Sequence, residues 1–130
     1  MTKKKKETEL TNEVTEPIAL HLTASESDLR AKLEEIKVRE GVIGYILRNS
    51  HSASIDLKDP GKIIDYAILS SSTIDAAEEL SNQFDVGNIE SIVVEGKNVK
   101  MLSVIIDENR ISIFMEKNFD AETLKNVFCP

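Results

Sequence analysis

One long run constrains the fold of this chain more than any other feature: "KIIDYAILSSSTIDAAEELSNQF", from Lys62 to Phe84. It contains neither Gly nor Pro, and its apolar residues recur at three- and four-residue spacing, which predicts a single helix. Asp59 and Pro60, just before the run, suit a helix cap and a first helical position. At about 1.5 Å per residue the helix would be roughly 35 Å long, so the rest of the domain must pack along it.

Two adjacent rows of this helix carry no charge when its residues are placed about 100° apart. The bulky row consists of Tyr66, Leu69, Thr73, Ala76, Leu80 and Phe84. The small row consists of Ile63, Ala67, Ser70, Ile74, Ala77 and Ser81. We expect the bulky row to pack on a sheet. The small row lets another backbone approach closely, either that of the protein's own sheet or that of a partner helix, most simply the same helix in a second copy.

The centre of the helix holds four hydroxyl residues, Ser70 to Thr73, where a helix that only covers a core would be expected to carry Leu or Ile. Between two paired helices these hydroxyls would ease close approach while bonding back to the carbonyls of their own helix. We therefore predict a dimer through the small row. Ile64 and Ile68 project toward the polar side, and with Ser71 they are predicted to form a partner-binding patch.

The flanking segments predict an α+β fold of order α-β-β-α-β-β-β-α. A first helix begins near "ASESDLRAKLEEIKVRE", with Leu29, Leu33 and Ile36 at helical spacing. Five strands are predicted at "VIGYILRN", "SHSASIDL", "IESIVVEG", "VKMLSVIID" and "RISIFMEK", and "DAETLKNVF" is a last helix. Because two strands are apolar on both faces, we expect a five-stranded antiparallel sheet with the long helix on one face and two helices on the other.

The strand "IESIVVEG" follows the long helix and is expected at a sheet edge, where an apolar run invites pairing with another chain. Together with the small row it completes the predicted dimer interface. Its contributing residues are Ile89, Ser91, Ile92, Val93 and Val94.

Composition and charge indicate which classes of partner and compartment this chain is suited to. Residues 1–23 are polar and predict a flexible tail, and residues 24–130 form the domain. The tail holds four Lys and four Glu, so the whole net charge of −7 belongs to the domain, which disfavours nucleic-acid binding. Membrane insertion is not expected, because no apolar run is long enough to span a bilayer. Cys129 is the single cysteine, and a cytoplasmic protein is expected.

The sequence contains no recognisable motif for catalysis, metal binding or phosphate binding. His21 and His51 are far apart, so neither a metal site nor a cofactor is expected. "EGKN" lacks the upstream glycine and the following Ser or Thr of a phosphate loop. The sequence therefore predicts an interaction module with no catalytic residues rather than an enzyme.

The element layout resembles the roadblock family, which includes dynein light chains and regulators of small GTPases. "EGVIGYIL" resembles the family's first helix-to-strand transition, and "IVVEGKNVKMLSV" resembles its hairpin between the third and fourth strands. The resemblance covers roughly residues 24–129. Between the first two strands the chain has "NSHS", where many members have a Gly-containing turn.

The resemblance implies a homodimer or heterodimer in which long helices pair and third strands join two sheets. It also implies that the helix-covered side can dock a small Ras-like GTPase, and it points to single-domain prokaryotic or archaeal members. Two alternatives remain at this stage. One is a structural dimer within a larger scaffold or motor complex, and the other is a small-ligand sensory domain of similar shape.

Overall fold

The computed structural model describes the backbone of residues 17–128 and the side chains of residues 26–128. The chain divides into two compact units, Met1–Glu35 and Ile36–Pro130. Helix α1 (Pro17–Lys37) begins earlier than the sequence predicts, because residues 17–23 of the predicted tail are helical. Pro17 suits a first helical position, and the aliphatic residues after it favour a helix. The rest of the predicted tail, residues 1–16, lies outside the described residues.

The second unit holds the sheet and two helices. Within the described residues the strands are β1 (Val42–Arg48), β2 (Ala53–Leu57), β3 (Ser91–Glu95), β4 (Val99–Ile106) and β5 (Asn109–Glu116). A 3₁₀ turn (Pro60–Lys62) leads into α2 (Ile63–Phe84), and α3 (Ala121–Phe128) follows β5. The predicted element order and the α+β class are confirmed.

All strand pairs are antiparallel, and the order across the sheet is β2-β1-β5-β4-β3. The two edges are therefore β2 and β3, and the predicted edge position of β3 is confirmed. Strands β4 and β5, in the interior of the sheet, are largely buried along their length.

Helices α2 and α3 cover opposite faces of this sheet. Met101 belongs to a buried cluster that Ile63 and Ala67 of α2 pack against. The next residue, Leu102, points the other way and lines a small hollow together with Ala121 of α3. Because side chains alternate along a strand, β4 carries apolar residues on both faces, as its sequence predicted.

The turn between β1 and β2 is built around Asn49 instead of a glycine. The Asn49 Oδ1 atom accepts hydrogen bonds from the backbone N–H groups of His51 at 2.8 Å and Ser52 at 3.0 Å. An asparagine side chain that bonds to the backbone two residues on mimics a backbone turn. "NSHS" is thus a hairpin turn stabilised by its first residue.

A glycine is required where β2 approaches β1 most closely. A Cβ atom at Gly44 would lie 2.2 Å from the carbonyl oxygen of Asp56. The pairing of β1 with β5 also shifts register between Val42 and Gly44. The local irregularity therefore depends on the missing side chain.

A chain of three buried hydroxyls joins α2 to the sheet. Ser70 Oγ lies 2.6 Å from Ser112 Oγ, and Ser112 Oγ lies 2.7 Å from Ser103 Oγ. All three serines are buried. Four residues earlier in α2, the ring of Tyr66 stacks on that of Phe114, two residues after Ser112 in β5, with centroids 4.4 Å apart. These contacts fix how α2 is rotated about its own axis.

We expect Ser112→Ala to lower the free energy of unfolding by about 1–3 kcal/mol, because it leaves buried hydroxyls of Ser70 and Ser103 without their shared partner. Chemical denaturation measures this loss. The matched control is Ser72→Ala, an exposed serine of the same helix, which should change stability by less than about 0.5 kcal/mol. Equal effects of the two substitutions would show that the hydroxyl chain contributes nothing.

Candidate interaction surfaces

The small row of α2 faces the protein's own sheet. Ser70, Ile74 and Ser81 are the buried residues of this helix. Ile63 and Ala67 pack against the core cluster, and Ser70 bonds to Ser112. The expectation that the small row faces a partner is therefore wrong. Small side chains let the helix backbone approach the sheet, and the Ser70 hydroxyl finds its partner on β5 rather than on its own helix.

The bulky row is turned to one flank of α2, so the expectation that it packs on the sheet is also wrong. Tyr66 alone in this row is part of the packing around the core cluster. Leu69, Leu80 and Phe84 are exposed. This flank presents apolar side chains without any charge among them.

A third row lies on the other flank of α2, and we call it the isoleucine row. Its residues are Ile64, Ile68, Ser71, Asp75, Glu78 and Asn82. Ile64 is 72% exposed and Ile68 is 60% exposed. The predicted exposure of these two isoleucines agrees with the structure, whereas Ser71 beside them is partly covered.

The isoleucine row faces the β3 edge of the sheet. Ala67, which is adjacent to this row, packs in the same cluster as Val94 of β3. Farther along, Glu78 and Asn82 line a cleft of about 640 Å³ together with Ile89 and Glu90, which lead into β3. Since the bulky row occupies the opposite flank, it faces the β1–β2 side.

Of the five residues predicted for β3 pairing, Ile89 precedes the strand and the other four divide between the two faces of the sheet. Val94 packs against the α2-side cluster, so Ile92 shares that face and Val93 points to the other. Val93 is 49% exposed, whereas Ile89, Ser91, Ile92 and Val94 are partly buried. The structure thus brings β3 and the exposed isoleucines to the same side of the molecule.

The cleft beside the isoleucine row is acidic, with Glu78, Glu90 and Asp107 in its lining. One of these charges is compensated, because Arg110 Nη2 contacts both carboxylate oxygens of Glu78 at 2.9 and 3.0 Å. This ion pair ties the second half of α2 to β5.

Two acids in and just after β2 have structural partners. Asp56 accepts a 2.5 Å hydrogen bond from Lys37, and Asp59 accepts one from the Gly61 backbone N–H at 3.0 Å. Within the described residues, no group of three or more His, Cys, Asp or Glu side chains is placed to hold a metal ion. None of the helices in the described part of the chain is both long and apolar enough to cross a membrane.

Sequence reasoning missed the role of Ser103 and Ser112. Both interrupt strands that are otherwise apolar, "MLSVI" and "ISIFM". A buried hydroxyl needs a partner, so two serines in neighbouring core strands indicate a third polar group above them. These two core serines could therefore have predicted that Ser70 of α2 faces the sheet.

Among known proteins, this chain matches solved structures only. No family model matches the chain, and no curated protein matches it. Among solved structures, the crystal structure of a Roadblock/LC7 domain from Streptomyces avermitilis superposes with a TM-score of 0.62 at 16% sequence identity. The match covers 74% of this chain and 84% of that one. The resemblance inferred from the sequence is thus confirmed at the level of structure, and the chain has the Roadblock/LC7 fold.

Proposed function

We propose that this protein is a dimeric protein–protein interaction module, in which two copies associate through β3 and the isoleucine row. One observation carries the proposal: Ile64 and Ile68 are exposed on the flank of α2 that faces the edge strand β3. An edge strand offers unpaired backbone N–H and C=O groups to another chain. Full burial of each isoleucine would contribute about 1.5–3 kcal/mol.

A two-fold axis relates the copies most simply, because the same surface then serves both. Antiparallel pairing of β3 with its own copy around Val93 would extend the sheet across the interface. The charges of the isoleucine row favour contact at its first half. Glu78 is already paired with Arg110, whereas Asp75 is exposed and would meet its own copy.

Ile68→Asp should convert the dimer to monomer at micromolar concentration, because it buries an unpaired charge in the interface. Light scattering measures the mass. Leu80→Asp is the matched control, since Leu80 is 54% exposed on the opposite flank of the same helix, and this variant should remain a dimer. A monomeric wild type, or a dimer that survives Ile68→Asp, would contradict the proposed interface.

The partner of the dimer is proposed to be a small Ras-like GTPase, docked on the side covered by the two α2 helices. The support is the resemblance to a family that includes GTPase regulators, together with the Roadblock/LC7 fold. The protein itself is proposed to act without catalysis and to bind no nucleotide. A structural dimer within a scaffold remains the second candidate, since the same fold and interface would serve it.

The docking proposal predicts that at least one small GTPase of the source organism binds the wild-type dimer. Because the surface needs both α2 helices, the monomeric Ile68→Asp variant should bind it at least roughly tenfold more weakly. Calorimetric titration of each GTPase, loaded with GDP or a GTP analogue, measures both affinities. Failure of every GTPase to bind the wild type would remove this role and leave the scaffold as the remaining candidate.

A further inference from the structure

We infer that the groove between the bulky row of α2 and the edge strand β2 is a second docking surface. Its occupant is an extended segment of a partner protein that adds to β2 as a strand, with apolar side chains at its centre and carboxylates at its ends. This surface lies on the side of the molecule opposite to β3. It is therefore separate from the proposed dimer interface.

The floor of the groove is the part of β2 that α2 leaves uncovered. Ile55 pairs with Ile46, and Leu57 belongs with Ile46 to the α2-side cluster, so Ala53, Ile55 and Leu57 share that face. Leu57 is buried, but Ala53 is exposed and Ile55 is 40% exposed. The helix therefore covers the last residue of β2 and leaves its first half open.

The wall of the groove is the exposed flank of α2. Leu69, Ala76 and Leu80 recur there without a charged residue between them in the row. Floor and wall together form an apolar corner beside an edge strand. An added strand would place every second side chain in this corner while its backbone pairs with β2.

Cationic groups stand at both ends of the corner. Lys62 begins the helix in the same row as Leu69 and Leu80, and Lys58 follows β2 directly. At the other end Arg48 lies opposite Ala53 in the strand register. The ion pairs of residues 26–128 include none of these three cations.

The strand register explains why Arg48 lacks a carboxylate. Arg48 lies opposite Arg110 on β5, and Arg110 holds the carboxylate of Glu78. Of the two guanidinium groups on these neighbouring strands, only that of Arg110 is paired with an acid of the described residues, and Arg48 Nη2 is buried without a hydrogen-bond partner among them. Asp59, between the two lysines in sequence, is engaged with the Gly61 backbone N–H. In a chain of net charge −7, an apolar corner that has at its ends three cations without ion pairs to residues 26–128 is complementary to an acidic segment.

The same charges argue against a second copy of this chain as the occupant. Antiparallel pairing of β2 with itself around Ile55 would bring Lys58 of each copy beside the Arg48 end of the other. Like charges placed opposite each other destabilise strand pairing. A strand that carries carboxylates at both ends would instead be attracted to these cations.

The test uses two short synthetic peptides that differ only at their ends. Both alternate valine and threonine at the centre, and one carries glutamates at each end while the other carries lysines. Fluorescence anisotropy of the labelled peptides measures affinity for the full-length protein. We expect the glutamate peptide to bind at least roughly tenfold more tightly than the lysine peptide. Lys62→Glu should reduce or reverse the difference in affinity between the two peptides.

Two matched variants locate the binding. Ile55→Lys and Val93→Lys each place a charge on an exposed position of a five-residue edge strand. Ile55→Lys should weaken the glutamate peptide on the order of tenfold and leave the dimer intact. Val93→Lys should disrupt the dimer and leave the affinity for the glutamate peptide unchanged. The monomeric Ile68→Asp variant should still bind the peptide. Unchanged melting temperatures confirm that each variant is folded.

Three results would overturn the inference. The glutamate peptide could fail to bind the wild type, or Val93→Lys could weaken it as much as Ile55→Lys does. The wild type could also form assemblies larger than a dimer that Ile55→Lys dissolves, which would make a second copy the occupant of the groove. Loss of the dimer alone would affect the proposed function and leave this inference standing.

Discussion

The hydrogen-bonded chain of Ser70, Ser112 and Ser103 is the interaction on which the surfaces of this protein depend. Apolar packing alone is compatible with more than one rotation of a helix whose neighbouring rows both lack charge. A buried hydroxyl removes that freedom, because leaving it unpaired costs free energy. Once Ser70 is held over β5, every other residue of α2 has a fixed direction.

That rotation gives α2 two exposed flanks with different chemistry. The isoleucine row adjoins the β3 edge, and its second half carries acids beside the cleft. The bulky row adjoins the β2 side, where cations bound an apolar corner. Each flank therefore lies beside one of the two edge strands, which are the parts of a sheet that another chain can extend.

The two edges are suited to different partners for electrostatic reasons. At the centre of the proposed β3 contact the exposed side chains of Ile64, Ile68 and Val93 are apolar, so two identical surfaces can bury them against each other. At β2 the cations Lys58, Lys62 and Arg48 make no ion pair with the described residues, whereas Asp56 is paired with Lys37, so a second copy is disfavoured and an acidic chain is favoured. One domain can thus pair with itself on one side and with a different protein on the other.

Local pattern in the sequence was sufficient for the element order, the antiparallel sheet and the edge position of β3. Each of these follows from periodicity, turn residues and short connections. The start of α1 at Pro17 was missed, since the polar composition of the preceding residues masked a short helical segment.

The direction of α2 was decided only by the tertiary structure. The bulky and small rows are neighbours on the helix and both lack charge, so hydrophobic pattern does not distinguish which one faces the sheet. The deciding contact joins Ser70 to a residue 42 positions away, and the pairing of β4 with β5 places Ser103 beside that residue. The sequence determined that the long helix is apolar on more than one side, and the hydroxyl chain in the core decided which of those sides remain available to partners.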